Sequence, residues 1–333
     1  MLFADFAYQH FDWWHDVVPG AIDTNGELED FEHYGLFKNN LINFGATIGI
    51  SDYWNVTISQ LFSKRCMDWE GPVDEFGNSL TVHHRSECSS ANFFDNTGKQ
   101  IAYGGFSGDA RINFRYLLYN QGKGPGNRLF LGLGLDIPSN NVITESPWTK
   151  TDITPDDGLE NPVYTPHRHF YLSDGAYKLN VDLQFFNKRM TFPVFWGGTF
   201  AVNLPLNKSR YGFSPSTRYQ LNFLAMSSSL PFKKYKLGRY SISSLGFTFS
   251  LGYATRSSWE NLGDTPNSKS LLYMPGISVL IGTGGSGGFG INIARGYEYY
   301  FNENASDIDE ETDIYSITIN YRTVLDKMIE KLY

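Results

Sequence analysis

The sequence predicts an all-β fold, a single antiparallel barrel of about twelve strands, and three observations support this prediction. Apolar and polar residues alternate with a period of two along many segments, which places them on opposite faces of strands. Short turns and long polar connections follow one another in regular alternation along the chain. Aromatic residues make up 16% of the 333 residues and glycine contributes 33, a composition that favours strands and turns over helices.

The clearest hairpin spans residues 109–137. In its first arm, apolar residues alternate with charged and amide residues, as in Arg111, Ile112 and Asn113. Glycine, proline and asparagine between residues 120 and 127 predict a reverse turn. The second arm alternates Leu129, Leu131, Leu133 and Leu135 with Arg128, Gly132, Gly134 and Asp136. Each arm therefore has one apolar face and one face of charges, amides and glycines.

The same alternation recurs along the whole chain and predicts its strands, the first of which is the weakest. The predicted strands are Leu2–Trp14, Asn40–Ile50, Trp54–Ser63, Asp109–Tyr119, Arg128–Ile137, Ala176–Asn187, Phe192–Leu206, Thr217–Ser228, Arg239–Ser257, Leu271–Gly282, Gly287–Phe301 and Ile314–Val324. A closed barrel has no free edge, and bacterial barrels have even strand numbers. Leu2–Trp14 is therefore counted as the twelfth strand, with about ten or fourteen strands as alternatives.

The chain is predicted to form one domain, a barrel that crosses a membrane. An N-terminal strand and acidic loop occupy residues 1–35, the main part of the barrel residues 36–324, and a tail residues 325–333. Strands of about 10–15 residues can cross a bilayer at a tilt. Short periplasmic turns and long extracellular loops are typical of barrels in the bacterial outer membrane. We therefore expect that location, with the lipid bilayer as a partner. No signal peptide is visible at the start of the sequence, so either the numbering begins after its removal, which the membrane-like strands favour, or the chain is not exported.

The composition argues against several other classes of protein. A net charge of −8 does not suit a nucleic-acid-binding surface. The chain contains no apolar run long enough for a transmembrane helix. The segment Gly282–Gly287 matches a dinucleotide-binding motif, but alternation rather than a helix follows it, which predicts a hairpin turn. We predict no cofactor, no metal and no catalytic residues, and a barrel hydrolase is kept only as a third class of function.

Apolar and charged residues on the same strands must face opposite sides of the barrel. The predicted lipid face consists of Leu129, Leu131, Leu133, Leu179, Val181, Leu183, Phe247, Phe249, Ile291 and Ile293. Charged side chains are costly in hydrocarbon, so they are expected to point inward. The candidates for lining the lumen and setting its selectivity are Asp109, Arg111, Arg115, Arg128, Asp136, Lys178, Asp182, Glu298 and Arg322.

The two arginines of the clearest hairpin should have acidic partners on nearby strands, because a lone buried charge is poorly compensated. The candidate partners are Asp109, Asp136 and Asp182. Such a cluster would narrow the lumen and set which solutes pass. The alternative is an ion-paired filling that closes a narrow barrel. The mixed signs argue against a strongly ion-selective pore.

The run His10–His15 is unusual because it combines two histidines with three aromatic residues. We interpret it as part of an aromatic girdle at the bilayer interface. The alternative is a metal or ligand site.

Five short motifs occur along the predicted strands. They are Gly45–Ser59, Ser107–Arg111, Leu135–Pro138, Leu172–Tyr177 and Tyr211–Pro215. In their order they resemble the outer-membrane family called MetA-pathway of phenol degradation, over roughly residues 36–322. The resemblance implies an exported barrel that passes small hydrophobic or aromatic solutes, and it supplies no catalytic residues. The alternative is a structural or docking barrel with a filled lumen that anchors an assembly of outer-membrane proteins.

The two cysteines, Cys66 and Cys88, lie in a polar segment outside the predicted strands. In an exported protein they are expected to form a disulfide that closes an outer loop, because that compartment is oxidising. The alternatives are a metal site with His83 and His84, or two free thiols.

Mass spectrometry of non-reduced peptides tests the disulfide. We expect one cross-linked species that contains both Cys66 and Cys88, since both residues are predicted to lie in the same outer loop. Two thiols that react with an alkylating reagent in the exported, folded protein would contradict the prediction.

Overall fold

The computed structural model describes most of the chain. The described residues are 1–15, 27–28, 30, 32–70, 76, 106–122, 124–143, 171–227, 236–238, 240–265, 268–283, 287–301 and 310–325. Across these ranges, no helix has the length and apolar character needed to span a membrane.

Twelve antiparallel strands form one closed ring, as predicted. They are β1 (Leu2–His15), β2 (His33–Gly49), β3 (Trp54–Glu70), β4 (Ser107–Asn120), β5 (Gly126–Ile137), β6 (Lys178–Lys188), β7 (Phe195–Pro205), β8 (Arg218–Met226), β9 (Tyr240–Ala254), β10 (Ser270–Gly282), β11 (Gly287–Tyr300) and β12 (Glu310–Thr323). Each strand pairs with its neighbours in sequence, and β1 pairs with β12 to close the ring. The segment with the weakest alternation is therefore a full member of the barrel.

The two ends of the barrel differ. Short turns, such as residues 50–53 between β2 and β3, lie at one end together with both ends of the ring, since Leu2 lies opposite Thr323. The described connections at the opposite end are longer, among them residues 206–217 and 255–265. In bacterial outer-membrane barrels the short turns are periplasmic and the long connections extracellular. We call these the periplasmic end and the outer end.

The register places the predicted lipid-facing residues together on the outer face. Ile277 of β10 lies opposite both Phe247 of β9 and Ile293 of β11, and the two isoleucines are 66% and 59% exposed. Leu131 of β5 lies opposite Leu183 of β6, and both side chains are exposed. Directly opposed residues of neighbouring strands share a face. The barrel therefore carries an apolar belt that suits contact with lipid.

Two strands extend further than their alternation predicts. β2 begins at His33 rather than Asn40, and β3 continues to Glu70 rather than ending at Ser63. The two strands pair with each other over this extension. Backbone hydrogen bonds continue beyond the apolar belt because the ladder needs no apolar side chains.

The extension of β3 changes the position of one cysteine. Cys66 lies within β3, opposite Lys38 of β2, so its placement outside the strands was wrong. Cys88, His83 and His84 lie outside the described residues. The disulfide therefore stays a prediction.

The outward position of Leu131 can be tested by replacing it with arginine. We expect Leu131→Arg to lower the free energy of unfolding by about 2–4 kcal/mol, because the charge would enter the hydrocarbon near the middle of the bilayer. Urea titration of the barrel folded into lipid vesicles measures this loss. Leu224→Arg is the matched control, since Leu224 lines the lumen and the new charge would stay in water. Equal losses in the two variants would contradict the assigned faces.

Candidate functional site

Charged side chains on the inner face of β4–β6 form the core of a cluster that we call the ion-pair wall. Arg111 of β4 donates from Nε to Oδ1 of Asp136 at 2.6 Å and from Nη2 to Oδ2 at 2.8 Å. Nη2 of Arg115 lies 3.2 Å from Oδ1 of Asp182. Asp136 and Asp182 are only 5% and 7% exposed. Both arginines thus have acidic partners on nearby strands, Arg111 on the adjacent β5 and Arg115 on β6, in agreement with the expectation of compensated charge.

Amide side chains complete the hydrogen bonding of both carboxylates. Asn113 donates to Asp182 at 3.1 Å. Asn203 of β7 donates to Asp136 at 3.0 Å and to the side-chain oxygen of Asn180 at 2.7 Å. Buried carboxylates need such donors to offset the loss of hydration. These three asparagines belong to the ion-pair wall, although the sequence pattern did not single them out.

A glycine makes room for one of the carboxylates. Gly132 of β5 lies opposite Asp182 of β6 on the inner face. A Cβ atom at this position would overlap the carboxylate of Asp182. The glycines that alternate with leucines in β5 therefore have a specific role, because the absence of a side chain lets the neighbouring charge lie flat against the wall.

Two of the predicted lumen residues lie near the periplasmic end. Arg322 of β12 forms an ion pair with Asp5 of β1, across the strand pair that closes the ring. Arg128 donates to the backbone carbonyl of Gly124 at 3.0 Å, within the turn between β4 and β5. Arg128 therefore stabilises a turn, and neither arginine contributes to the ion-pair wall.

At the outer end, the connection that precedes β6 is attached to the barrel wall. Nη1 of Arg65 on β3 donates to the backbone carbonyl of Tyr171 at 2.6 Å. Nζ of Lys178 lies 2.6 Å from Asp174 and 3.7 Å from Asp109. Lys178 and Asp109 of the predicted set therefore belong to this attachment.

The carboxylate of Asp174 is central to the attachment. Burial alone would raise the pKa of Asp174, but the positive charges of Lys178, Arg218 and Arg65 outweigh burial. The pKa of this carboxyl group consequently lies below its ordinary value. Asp174 is thus ionised at neutral pH and attracts the surrounding cations.

Three connections at the outer end share an apolar core, which we call the cap. Ile143 and Tyr171, between β5 and β6, pack with Trp259, between β9 and β10, and with Phe213, between β7 and β8. The ring centroids of Phe213 and Trp259 are 5.1 Å apart. The short strands that contain these two residues, Phe213–Ser214 and Ser258–Trp259, pair with each other. The described parts of these polar connections therefore form a packed structure, which their composition did not predict.

Aromatic side chains of β1 and β2 also lie in the lumen near the cap. Trp13 and Phe37 are buried and pack with Phe11. Gly35 lies opposite Trp13, and a Cβ atom there would overlap the indole ring. The interpretation of His10–His15 as an interface girdle was therefore wrong for two of its rings. Phe11 and Trp13 are two residues apart in the sequence, which puts both rings on one face of a strand. This spacing was the signal that could have predicted their shared position.

A cavity of about 590 Å³ lies at the outer end, and we call it the outer cavity. Its lining includes aromatic side chains of the barrel wall and of the cap, among them Phe11, Trp13, Phe37, Tyr171, Phe213 and Trp259. The charged residues Arg65, Asp174 and Arg218 line it as well. Glu298 also lines it and accepts a hydrogen bond from Ser270 at 2.6 Å. This is the last of the predicted lumen residues.

A cavity of about 1090 Å³ lies towards the periplasmic end, and we call it the inner cavity. Hydroxyl and amide side chains contribute much of its lining, among them Asn222, Thr248, Ser278, Asn292, Thr318 and Asn320. Thr248 donates to Asn292 at 2.8 Å. Apolar side chains such as Leu224, Met226 and Met274 also line it, so the surface of the inner cavity is mixed.

A closed antiparallel ring with an apolar outer belt and polar groups inside defines a bacterial outer-membrane barrel. No family model matches the chain, and no curated protein matches its sequence. The COG4313 outer membrane channel from Pseudomonas putida F1 is similar in structure, with a TM-score of 0.53 at 8% identity over 97% of this chain and 95% of that one. At this identity the likeness shows a shared fold.

Two further solved structures are less similar. The transport unit of the autotransporter AIDA-I from Escherichia coli has a TM-score of 0.38 at 7% identity, over 97% of this chain and 90% of that one. The Pseudomonas putida toluene transporter TodX has a TM-score of 0.35 at 7% identity, over 96% and 88% of the two chains. These scores are too low to support an argument about function.

The electrostatic role of the ion-pair wall can be tested with the double variant Arg111→Ala and Arg115→Ala. Two carboxylates would lose their positive partners, so we expect higher conductance and a shift towards cation preference in planar bilayers. Arg295→Ala is the matched control, because Arg295 pairs with Asp313 on the outer face. An assembled double variant with unaltered conductance and ion preference would mean that the wall only fills the barrel.

Proposed function

We propose that this protein is a passive outer-membrane channel for small hydrophobic or aromatic solutes. We also propose that it belongs to the MetA-pathway of phenol degradation family, whose motifs its sequence resembles in order. The observation that carries the functional proposal is the outer cavity, with its aromatic walls at the end of the barrel that bears the long connections.

The size and lining of the outer cavity suit a small apolar ligand. Its volume of about 590 Å³ falls in the range of about 300–1,000 Å³ that is usual for small-molecule sites. Aromatic rings bind other rings through offset-stacked and edge-on contacts. Trp13 and Phe37 come from the rigid barrel wall, whereas Tyr171 and Trp259 come from the cap. An apolar solute would therefore be held between a fixed surface and a packed set of connections.

The inner cavity continues the route towards the periplasmic end. At about 1090 Å³ it is nearly twice the size of the outer cavity, which measures about 590 Å³. Its lining mixes hydroxyl and amide groups with apolar side chains such as Leu224 and Met274. Passive transport requires binding that is strong enough for entry and weak enough for exit. A wider cavity encloses a small solute less closely than the outer cavity does, which meets that requirement.

The ion-pair wall and the cap favour the alternative function, a structural barrel, because both occupy space inside the lumen. A structural barrel that anchors other outer-membrane proteins would need its lumen filled rather than open. The two cavities favour the channel over this alternative. Conductance in planar bilayers separates the two functions, since a filled barrel conducts nothing.

Uptake of radiolabelled naphthalene by cells that produce the barrel tests the proposal. We expect faster uptake than in cells with an empty vector, because the polar surface of the outer membrane slows apolar solutes. Trp259→Ala should lower the apparent affinity roughly two- to thirteenfold, as the loss of about 0.5–1.5 kcal/mol per aromatic contact implies.

Trp54→Ala is the matched control for this experiment. Trp54 is exposed on the outer face near the periplasmic end, where its ring lies 4.7 Å from that of Tyr116. The variant Trp54→Ala removes a tryptophan side chain, as Trp259→Ala does, but leaves the outer cavity intact. Uptake should therefore stay unchanged. Uptake at the empty-vector level in cells with correctly assembled wild-type barrel would refute the proposed function.

A further inference from the structure

We propose that solutes pass between the two cavities along the wall formed by β8, β9 and β10, and that Ser250 sets the width of this passage. Ser250 lines both the outer and the inner cavity. This inference rests on the proposed channel function and adds to it a route and a residue that limits solute size.

On each of these three strands, an inward-facing residue that lines the outer cavity lies close to one that lines the inner cavity. The pairs, with the outer-cavity residue first, are Gln220 and Asn222 on β8, Gly252 and Thr248 on β9, and Leu272 and Met274 on β10. On β8 and β10 the two members of a pair are successive positions of the inner face. On β9, Ser250 is the one inward-facing residue between Thr248 and Gly252. The cavities therefore adjoin directly along this wall.

On β12 the two cavities do not adjoin. Thr312 lines the outer cavity and Thr318 the inner cavity. Between them, the inward-facing residues Ile314 and Ser316 are only 4% and 5% exposed. Packed side chains therefore separate the two cavities on this strand.

The ion-pair wall separates the cavities on β4–β6 in the same way. Among the described lining residues of the two cavities, none is Arg111, Arg115, Asp136 or Asp182. The carboxylates of the two aspartates are covered by arginine and asparagine donors. A solute on this side would have to displace ion pairs, which costs more than passing over small neutral residues.

The surroundings of Ser250 suit a narrow but open passage. Its Oγ donates to the side-chain oxygen of Asn222 on β8 at 2.8 Å, which directs the hydroxyl along the wall. Its neighbour on β10 is Met274, an unbranched and flexible side chain that adapts to different shapes. A larger side chain at residue 250 would enter the space that both cavities share.

A thiol at residue 250 tests the route. Ser250→Cys and Ser59→Cys make the same change on opposite sides of the lumen, because β3 and β9 lie six strands apart in the ring of twelve. Ser59 of β3 pairs with Arg111 and therefore shares its inward face. Both variants and the wild-type barrel are treated with benzyl methanethiosulfonate, and naphthalene uptake is measured before and after treatment. The treated wild type accounts for any reaction of Cys66 or Cys88. We expect uptake to fall at least fivefold in treated Ser250→Cys and to stay unchanged in treated Ser59→Cys.

Ser250→Trp gives the same test without a reagent, with Phe249→Trp on the outer face as its control. We expect assembled Ser250→Trp to lose uptake at least fivefold and Phe249→Trp to keep it. The route is overturned if treated Ser250→Cys keeps full uptake, if mass spectrometry finds no modification of that thiol in the folded barrel, or if only treated Ser59→Cys loses uptake. Absence of uptake in the untreated wild type would instead refute the channel function itself.

Discussion

Closure of the hydrogen-bond ladder between β1 and β12 is the interaction on which the rest of the structure depends. In hydrocarbon, each unpaired backbone N–H or C=O group costs several kcal/mol, so a sheet can cross the membrane only without edges. β1 pairs with β2 on one side and with β12 on the other along its entire length. The ion pair between Asp5 and Arg322 spans the same junction inside the barrel. Closure then divides every strand into a lipid-facing and a lumen-facing set of side chains.

The lumen-facing set is not spread evenly around the ring. Charged residues concentrate on β4–β6, where Arg111 and Arg115 neutralise two buried aspartates. Small neutral residues such as Ser250 and Gly252 lie on β9. Charges inside a barrel need close partners, and those partners occupy space. One side of the lumen is therefore packed and the other side is left with room for a solute.

The outer cavity depends on parts of the chain that are far apart in sequence. Its rigid side comes from aromatic residues of β1 and β2, and its other side comes from the cap, which joins three separate connections. Arg65 and Asp174 link the first of these connections to the wall and to the start of β6. A site built in this way cannot form before the ring is closed. Its position at the outer end would let solutes bind before they reach the inner cavity.

The amino-acid pattern alone was enough to predict the class of fold, the alternation of short and long connections, the face of most side chains, and the presence of charges in the lumen. These properties follow from a period of two within each strand and from the cost of charge in lipid, both of which are local. Arg111 and Asp136 could be placed on the inner face for this reason, and Leu131 and Ile293 on the outer face.

Which inward-facing residues contact one another could be seen only in the folded barrel. Asn203 reaches Asp136 from β7, and Arg128 turns instead to the carbonyl of Gly124, because contacts across strands depend on register and side-chain direction. The cap likewise arises from the packing of segments that no local pattern relates. The same is true of the position of Ser250 in the lining of both cavities. Register and loop packing are long-range properties, since they are set by the closed ring as a whole and not by any one strand.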